Sequence, residues 1–225
     1  GLVVGFIVTL LLNLWVLILS PGRITRALIS WELEGRDTWG LLQAARSASA
    51  KAHIPIPRVA LADSDEYFSL SVGISPSRST IVLSHALAEK LTPEELRLII
   101  SFEVAKIACQ WTAAATAARG LYSLIDFPGF GFLTGRLLRL SLGRGRILKL
   151  DEWVASSGSG REAWSRTLWT LDAMVLSKPR ASKISDSALD TVSAVPLTSL
   201  LKSRYDRALP DVRTRIGALI DRYPP

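Results

Sequence analysis

Leu2–Ser20 (LVVGFIVTLLLNLWVLILS) carries no charged residue, and Asn13 is its only strongly polar one. About 20 apolar residues rising ~1.5 Å each cross a hydrocarbon core of about 30 Å. Trp15 stands near the far end of the run, Pro21-Gly22 stops the helix, and Arg23 and Arg26 follow at once. A cleaved signal peptide would show a basic leading region and a small-x-small cleavage site, and this run shows neither. A core helix would not end on a basic stop. The run is therefore read as a membrane anchor over residues 1–22. The arginines behind it place residues 23–225 in the cytoplasm by the positive-inside rule. The run also accounts for a mean hydropathy of +0.27 in a chain with 21% charged residues.

A single Cys excludes an internal disulfide framework and a Cys-based zinc ribbon. The two histidines, His53 and His85, leave too few imidazoles for most multi-histidine metal sites. With 225 residues the chain can bury a substantial core. No phosphate loop, nucleophile elbow or dinucleotide fingerprint is present. Ser69, Ser71 and the serines of SSGSG (156–160) have no histidine base assigned by sequence, which argues against a serine hydrolase.

Behind the anchor the pattern is legible to about residue 108. Thr38–Ala52 has apolar residues at helical spacing, and Pro55 and Pro57 break it. Arg58–Ala62 (RVALA) predicts a strand and Asp63–Glu66 a turn. Tyr67–Val72 predicts a second strand, Gly73–Arg78 a loop, and Thr80–Leu83 a third strand. A short helix follows over Ser84–Lys90. Thr92-Pro93-Glu94-Glu95 then has the chemistry of a helix start: a capping hydroxyl, proline at the first position, and acids at the positive end of the dipole. Leu96, Ile99, Ile100, Val104 and Ile107 give that helix an apolar stripe. Further on, a helix is predicted from about Gly160 to Leu176 with Trp164, Leu168, Leu171, Ala173 and Val175 on its apolar side. Lys178–Asp186 reads as a polar linker, with short helices over Ser187–Val195, Pro196–Arg204 and Asp211–Asp221.

This order of pieces resembles the HtpX family of membrane zinc metallopeptidases. The residues that carry the resemblance are IPIPRVALADSDEYFSLSVG, STIVLSHALAEKLTPEELRLIISFEVAKI, and later DEWVAS and LPDVRTRIGAL. It spans roughly residues 38–220, strongest over 53–107 and thin over 110–147. It implies an α+β, mainly helical architecture: an N-terminal transmembrane helix plus a metallopeptidase-like domain, residues 23–225, with a small antiparallel sheet.

The family's chemistry lies in H-E-x-x-H, where two histidines one turn apart hold zinc and the glutamate between them is the general base. The matching residues here are Phe102-Glu103-Val104-Ala105-Lys106. Both histidines are replaced. The family's third ligand is matched by Glu152, but the Asp four residues on has become Ser156. The edge strand that pairs with substrate backbone is matched by Phe68-Ser69-Leu70-Ser71-Val72-Gly73, without the family's Asn. A C-terminal H-P element followed by R-I-x-x-L is matched by Leu209-Pro210, Arg215-Ile216 and Leu219.

A benzyl group at 102 offers zinc no lone pair, and Lys106, with an unperturbed pKa of about 10.4, brings positive charge instead. Losing even a residue that orients a ligand costs about 10–100-fold in affinity, and here two ligands themselves are gone. His53, in the I-P-x-P turn, and His85, opening a helix, read as surface or capping residues. No bound zinc and no catalysis are expected, with Glu103 a remnant of the general base. Two readings of Glu103, Lys106 and Glu152 stay open: the ammonium stands in for the metal and bridges both carboxylates, or Glu103 and Lys106 are a solvated helix pair contributing about 0.3–0.5 kcal/mol.

Residues 107–150 form a basic, membrane-proximal segment. Ile107–Ile125 is long enough to span a bilayer but is Ala-rich and contains Arg119, so either a further membrane hairpin or a buried helix fits. From 119 to 149 six basic residues, Arg119, Arg136, Arg139, Arg144, Arg146 and Lys149, face Asp126 alone. Arginines beside leucines and aromatics suit anionic headgroups or an acidic partner subunit. No nucleic-acid reader motif accompanies them.

The function expected from these residues is that of an inactive, membrane-anchored metallopeptidase homologue, a pseudoenzyme serving as scaffold or accessory subunit of a membrane protein complex. It would be single-pass or carry an additional hairpin, with lipids and other membrane subunits as partners and no cofactor. The alternative is an active membrane zinc metalloendopeptidase with non-standard or partner-supplied ligands, for which zinc would be the cofactor. Peptide binding along Phe68–Gly73 by strand addition would mark recognition without cleavage.

Overall fold

Asp37 starts the first helix from outside it. Its carboxylate accepts the backbone N–H groups of Leu41 (2.6 Å), Leu42 (2.8 Å) and Gln43 (3.2 Å), donors that no helical carbonyl can satisfy. The computed structural model describes residues 30–33, 37–110, 112, 144–177 and 210–221. Within these, β1 is Ser30–Glu32, α1 Leu41–Ala52, β2 Arg58–Ala62, β3 Ser69–Val72 and β4 Thr80–Ser84. The helices α2 (His85–Lys90) and α3 (Pro93–Ala108) follow, then α4 (Arg144–Val154), α5 (Gly160–Ser177) and α6 (Val212–Asp221). The architecture is mainly helical α+β.

The sheet corrects the expectation of an antiparallel one. Its order is β1-β2-β4-β3; β1 is antiparallel to β2 and β3 to β4, but β2 and β4 run parallel, with Val59 opposite Ile81 and Leu61 opposite Leu83. The reason is that β3 does not pair back onto β2. It takes the outer place as the hairpin partner of β4, and β4 fills the position between them.

Alternation along the strands separates two apolar clusters. Val59, Leu61, Ile81 and Leu83 join α1 and α3 in the main core, while Ala60, Ala62, Leu70, Val72 and Val82 form a second cluster with Phe68.

The helix α3 begins on a complete capping box. Thr92 Oγ1 accepts the Glu95 N–H (3.3 Å), and the Glu95 carboxylate accepts the Thr92 N–H (2.9 Å). Its burial exceeds the expected stripe: every residue from Leu98 to Ile107 is buried, Ser101, Phe102, Glu103 and Lys106 included. Packing against α1, α4, α5 and β3 covers this helix on all sides, so a one-sided reading of its sequence was too narrow. On α5, Trp164, Leu168 and Leu171 are buried as expected, but Ala173 is exposed.

Among the described residues no helix is long and apolar enough to cross a membrane. The Leu2–Ser20 anchor, residues 113–143 of the basic segment, the 178–186 linker and the helices expected over 187–204 lie outside the described residues.

Gly73 closes the edge strand onto the following loop, where φ is +157°. A Cβ there would stand 2.7 Å from the Arg78 carbonyl oxygen and 2.7 Å from Ser79 Cα, both backbone atoms. Gly73→Ala is expected to lower stability by about 1–3 kcal/mol, read as a shift in the denaturant midpoint; an unchanged midpoint would show that the loop yields freely.

Candidate functional site

Three of the positions that the resemblance assigns to metal chemistry, Phe102, Glu103 and Lys106, are buried side by side on α3. Phe102, one turn before Lys106 on α3, is fully buried. Its ring lies 5.5 Å from that of Trp164 on α5, with 30° between the planes. Glu103 is also fully buried, and both of its oxygens are engaged. Ser69 Oγ on β3 donates to Oε1 at 2.6 Å, and Lys106 Nζ approaches Oε2 to 2.5 Å. That last approach is a buried ion pair. The Lys106 side chain is 3% exposed, so the solvated-pair reading does not describe it.

A second buried ion pair stands beside the first. Arg215 on α6 donates through Nε to Asp151 Oδ2 (2.8 Å) and through Nη2 to Oδ1 (2.5 Å). Trp164 Nε1–H also donates to Asp151 Oδ1, at 3.0 Å. The Arg215 guanidinium lies 5.1 Å from the Phe102 ring centroid and 5.9 Å from that of Trp164, and Lys106 Nζ is 5.8 Å from Phe102. Desolvated cation–π contacts of this kind contribute ~2 kcal/mol. The cations of two buried ion pairs thus share one aromatic ring.

The sequence placed Glu152 in the cluster. On α4, Asp151 is fully buried and its neighbour Glu152 is half-buried. Sequence reasoning placed Trp164 on an apolar helix side and Arg215 in the R-I-x-x-L element, but brought neither of them, nor Asp151, to this site, although a signal existed. Ile147, Leu150, Asp151 and Val154 follow i, i+3, i+4, i+7 spacing, as do Val212, Arg215, Ile216 and Leu219; each apolar stripe carries one charge of the pair. A charge inside an otherwise apolar stripe needs a buried partner.

The donor set does not fit zinc. Phe102 has no lone pair, Lys106 is a cation, and Glu103 is held between a hydroxyl and an ammonium. Among the described residues no group of three or more His, Cys, Asp or Glu side chains could hold a metal ion. His53 ends α1 in the left-handed conformation. His85 stands at the surface against Trp39 (5.5 Å between centroids) and Trp31 (6.4 Å), 3.6 Å from Glu89.

The edge strand β3 occupies the sheet position that strand addition requires, yet Phe68 and Ser69–Val72 are buried. Ser71 Oγ is also bonded to Thr112 Oγ1 at 2.8 Å. On α4, Arg146 and Lys149 are exposed and Arg144 is the first helical residue; Arg136 and Arg139 lie outside the described residues.

Burial holds the Lys106 ammonium below its ordinary value of 10.5; Glu103 opposes the shift by its charge and as an acceptor, and the like charge of Arg215 adds to it. Between the lowered folded-state value and 10.5 the unfolded chain binds a proton that the folded chain does not. The stability contributed by this group therefore rises with pH across that window. The stability gap between wild type and Lys106→Met is expected to widen as pH rises through it, measured by denaturant unfolding at a series of pH values. A gap that narrows would mean that burial does not dominate at Lys106.

No protein-family model matches the chain. It is similar to a Protease HtpX homolog of Syntrophobacter fumaroxidans, with 22% identity over an alignment of 251 residues that covers 97% of this chain and 89% of the relative. Similarity along nearly the whole length supports an HtpX-like family.

Proposed function

We propose that this chain is a catalytically inactive, membrane-anchored metallopeptidase homologue that works by binding, as a scaffold or accessory subunit of a membrane protein complex. The observation that carries the reading is Lys106. Where the resemblance places a zinc ligand one turn from Phe102, the chain holds a buried ammonium paired with the carboxylate that would act as general base. Glu103 is fully buried, with Ser69 donating to one oxygen and the Lys106 ammonium against the other, in place of the metal-bound water a general base would activate.

The membrane part of the reading rests on the uncharged run Leu2–Ser20 and the arginines behind it. Exposed Arg146 and Lys149 on α4, continuing the basic run that includes Arg136, Arg139 and Arg144, suit contact with anionic headgroups or with an acidic neighbouring subunit. The relative's name, Protease HtpX homolog, describes that protein.

Elemental mass spectrometry of the detergent-purified protein, together with its native mass, tests the reading. The expected result is no stoichiometric zinc and a native mass well above 24.6 kDa plus detergent. One tightly held zinc per chain with chelator-sensitive peptide cleavage would overturn it, in favour of an enzyme with unusual or partner-supplied ligands.

A further inference from the structure

The mismatch between this donor set and a metal ion has a structural consequence. A metal held by residues on α3 and α4 would do more than chemistry, because its ligand bonds would cross-link those two helices. In this chain the same helices are joined differently. Asp151 on α4 grips the Arg215 fork, and the Arg215 guanidinium lies over the Phe102 ring of α3. Trp164 of α5 both donates to Asp151 and packs on Phe102. On α3 itself, Lys106 balances Glu103, and Ser69 ties Glu103 to β3.

We propose that the Asp151–Arg215 and Glu103–Lys106 pairs, arranged around Phe102, replace a metal ion as the cross-link at the centre of this fold. The two cations supply the positive charge that a divalent ion would bring. Arg215 supplies the bridge between helices that its coordination would make. Lysine could not serve at 215, because only the planar fork binds a carboxylate through two donors while stacking on a ring. The arrangement draws β3, α3, α4, α5 and α6 to one centre without requiring a divalent cation. The proposal rests on the reading that no zinc is held here, and it adds that the pairs have taken over the metal's structural task.

Thermal unfolding of the full chain in detergent, with and without a chelator, tests it. The chains compared are wild type, Lys106→Met, Glu103→Gln/Lys106→Met, Arg215→Met and Asp151→Leu/Arg215→Met. Chelator is expected to leave the wild-type midpoint unchanged. Each lone loss of a cation strands a buried carboxylate and should lower the midpoint by about 5 °C or more. Removing the carboxylate partner as well should recover at least half of that fall. If a lone variant does not accumulate as folded protein, that counts as the fall, and its double variant decides.

A wild-type midpoint lowered by chelator would overturn the proposal, because a bound metal would then be stabilising the fold. Equal falls in single and double variants would overturn it too, since the charges would not be acting on each other. Failure of the functional reading looks different. Peptide cleavage by a chain whose midpoint ignores chelator, and whose double variants recover, would remove the inactive assignment and leave the cross-link standing.

Discussion

Everything in the helical half of this protein leans on the carboxylate of Asp151. A carboxylate taken out of water costs several kcal/mol unless its lone pairs are met, and Asp151 is fully buried. Three donors meet it: two from Arg215 and one from Trp164. Those donors come from α5 and α6, with Arg215 64 residues away in sequence. Satisfying one side chain therefore sets where two other helices must sit. The guanidinium fork adds direction that apolar packing lacks, since both of its bonds form in a single plane. Phe102 then receives that plane on its face, and α3 is held to the same point.

The second pair shows the same logic on a smaller scale. Glu103 and Lys106 sit on one helix, three residues apart, so their attraction alone positions no other element. The Ser69 hydroxyl changes that, because its hydrogen bond to Glu103 carries the pair's geometry into the sheet. Burial at Lys106 works against the ammonium while Glu103 works for it. A group held in that balance gains from its neighbour only while both stay dry. Hydrolytic metal centres need an open ligand position and a free base. The described centre holds the buried Phe102 ring, with Glu103 paired to Lys106 and Asp151 to Arg215.

How much of this could be read in advance differs by element. The strand RVALA was legible to its ends because strand-forming residues there are bounded by Pro57 and the Asp63 turn. The start of α3 was equally plain, since a capping box and a first-turn proline are local chemistry. The order of the strands was not legible. Which strand β4 pairs with on each side is decided by long-range contacts that leave no spacing signature in a strand of five residues. Burial of α3 on every side was hidden for a related reason: glutamate, lysine and serine read as solvent-facing unless their partners are known. Burial of Asp151 was hidden in the same way, since a carboxylate next to the pattern-matched Glu152 does not show its partners until Arg215 and Trp164 are folded against it.

By itself, the sequence determined the punctuation of the chain, the uncharged run at Leu2–Ser20, and the residues Phe102 and Lys106 at the positions where the resemblance expects histidines. These are properties of side-chain chemistry and near-neighbour spacing, which no packing can alter. Only the tertiary structure decided that the sheet is mixed, that β3 is buried at its edge, and that Asp151, Arg215 and Trp164 meet beside Phe102. Those outcomes depend on which distant surfaces exclude water together, and a charge that looks solvated in a string of letters becomes structural once its partner is folded against it.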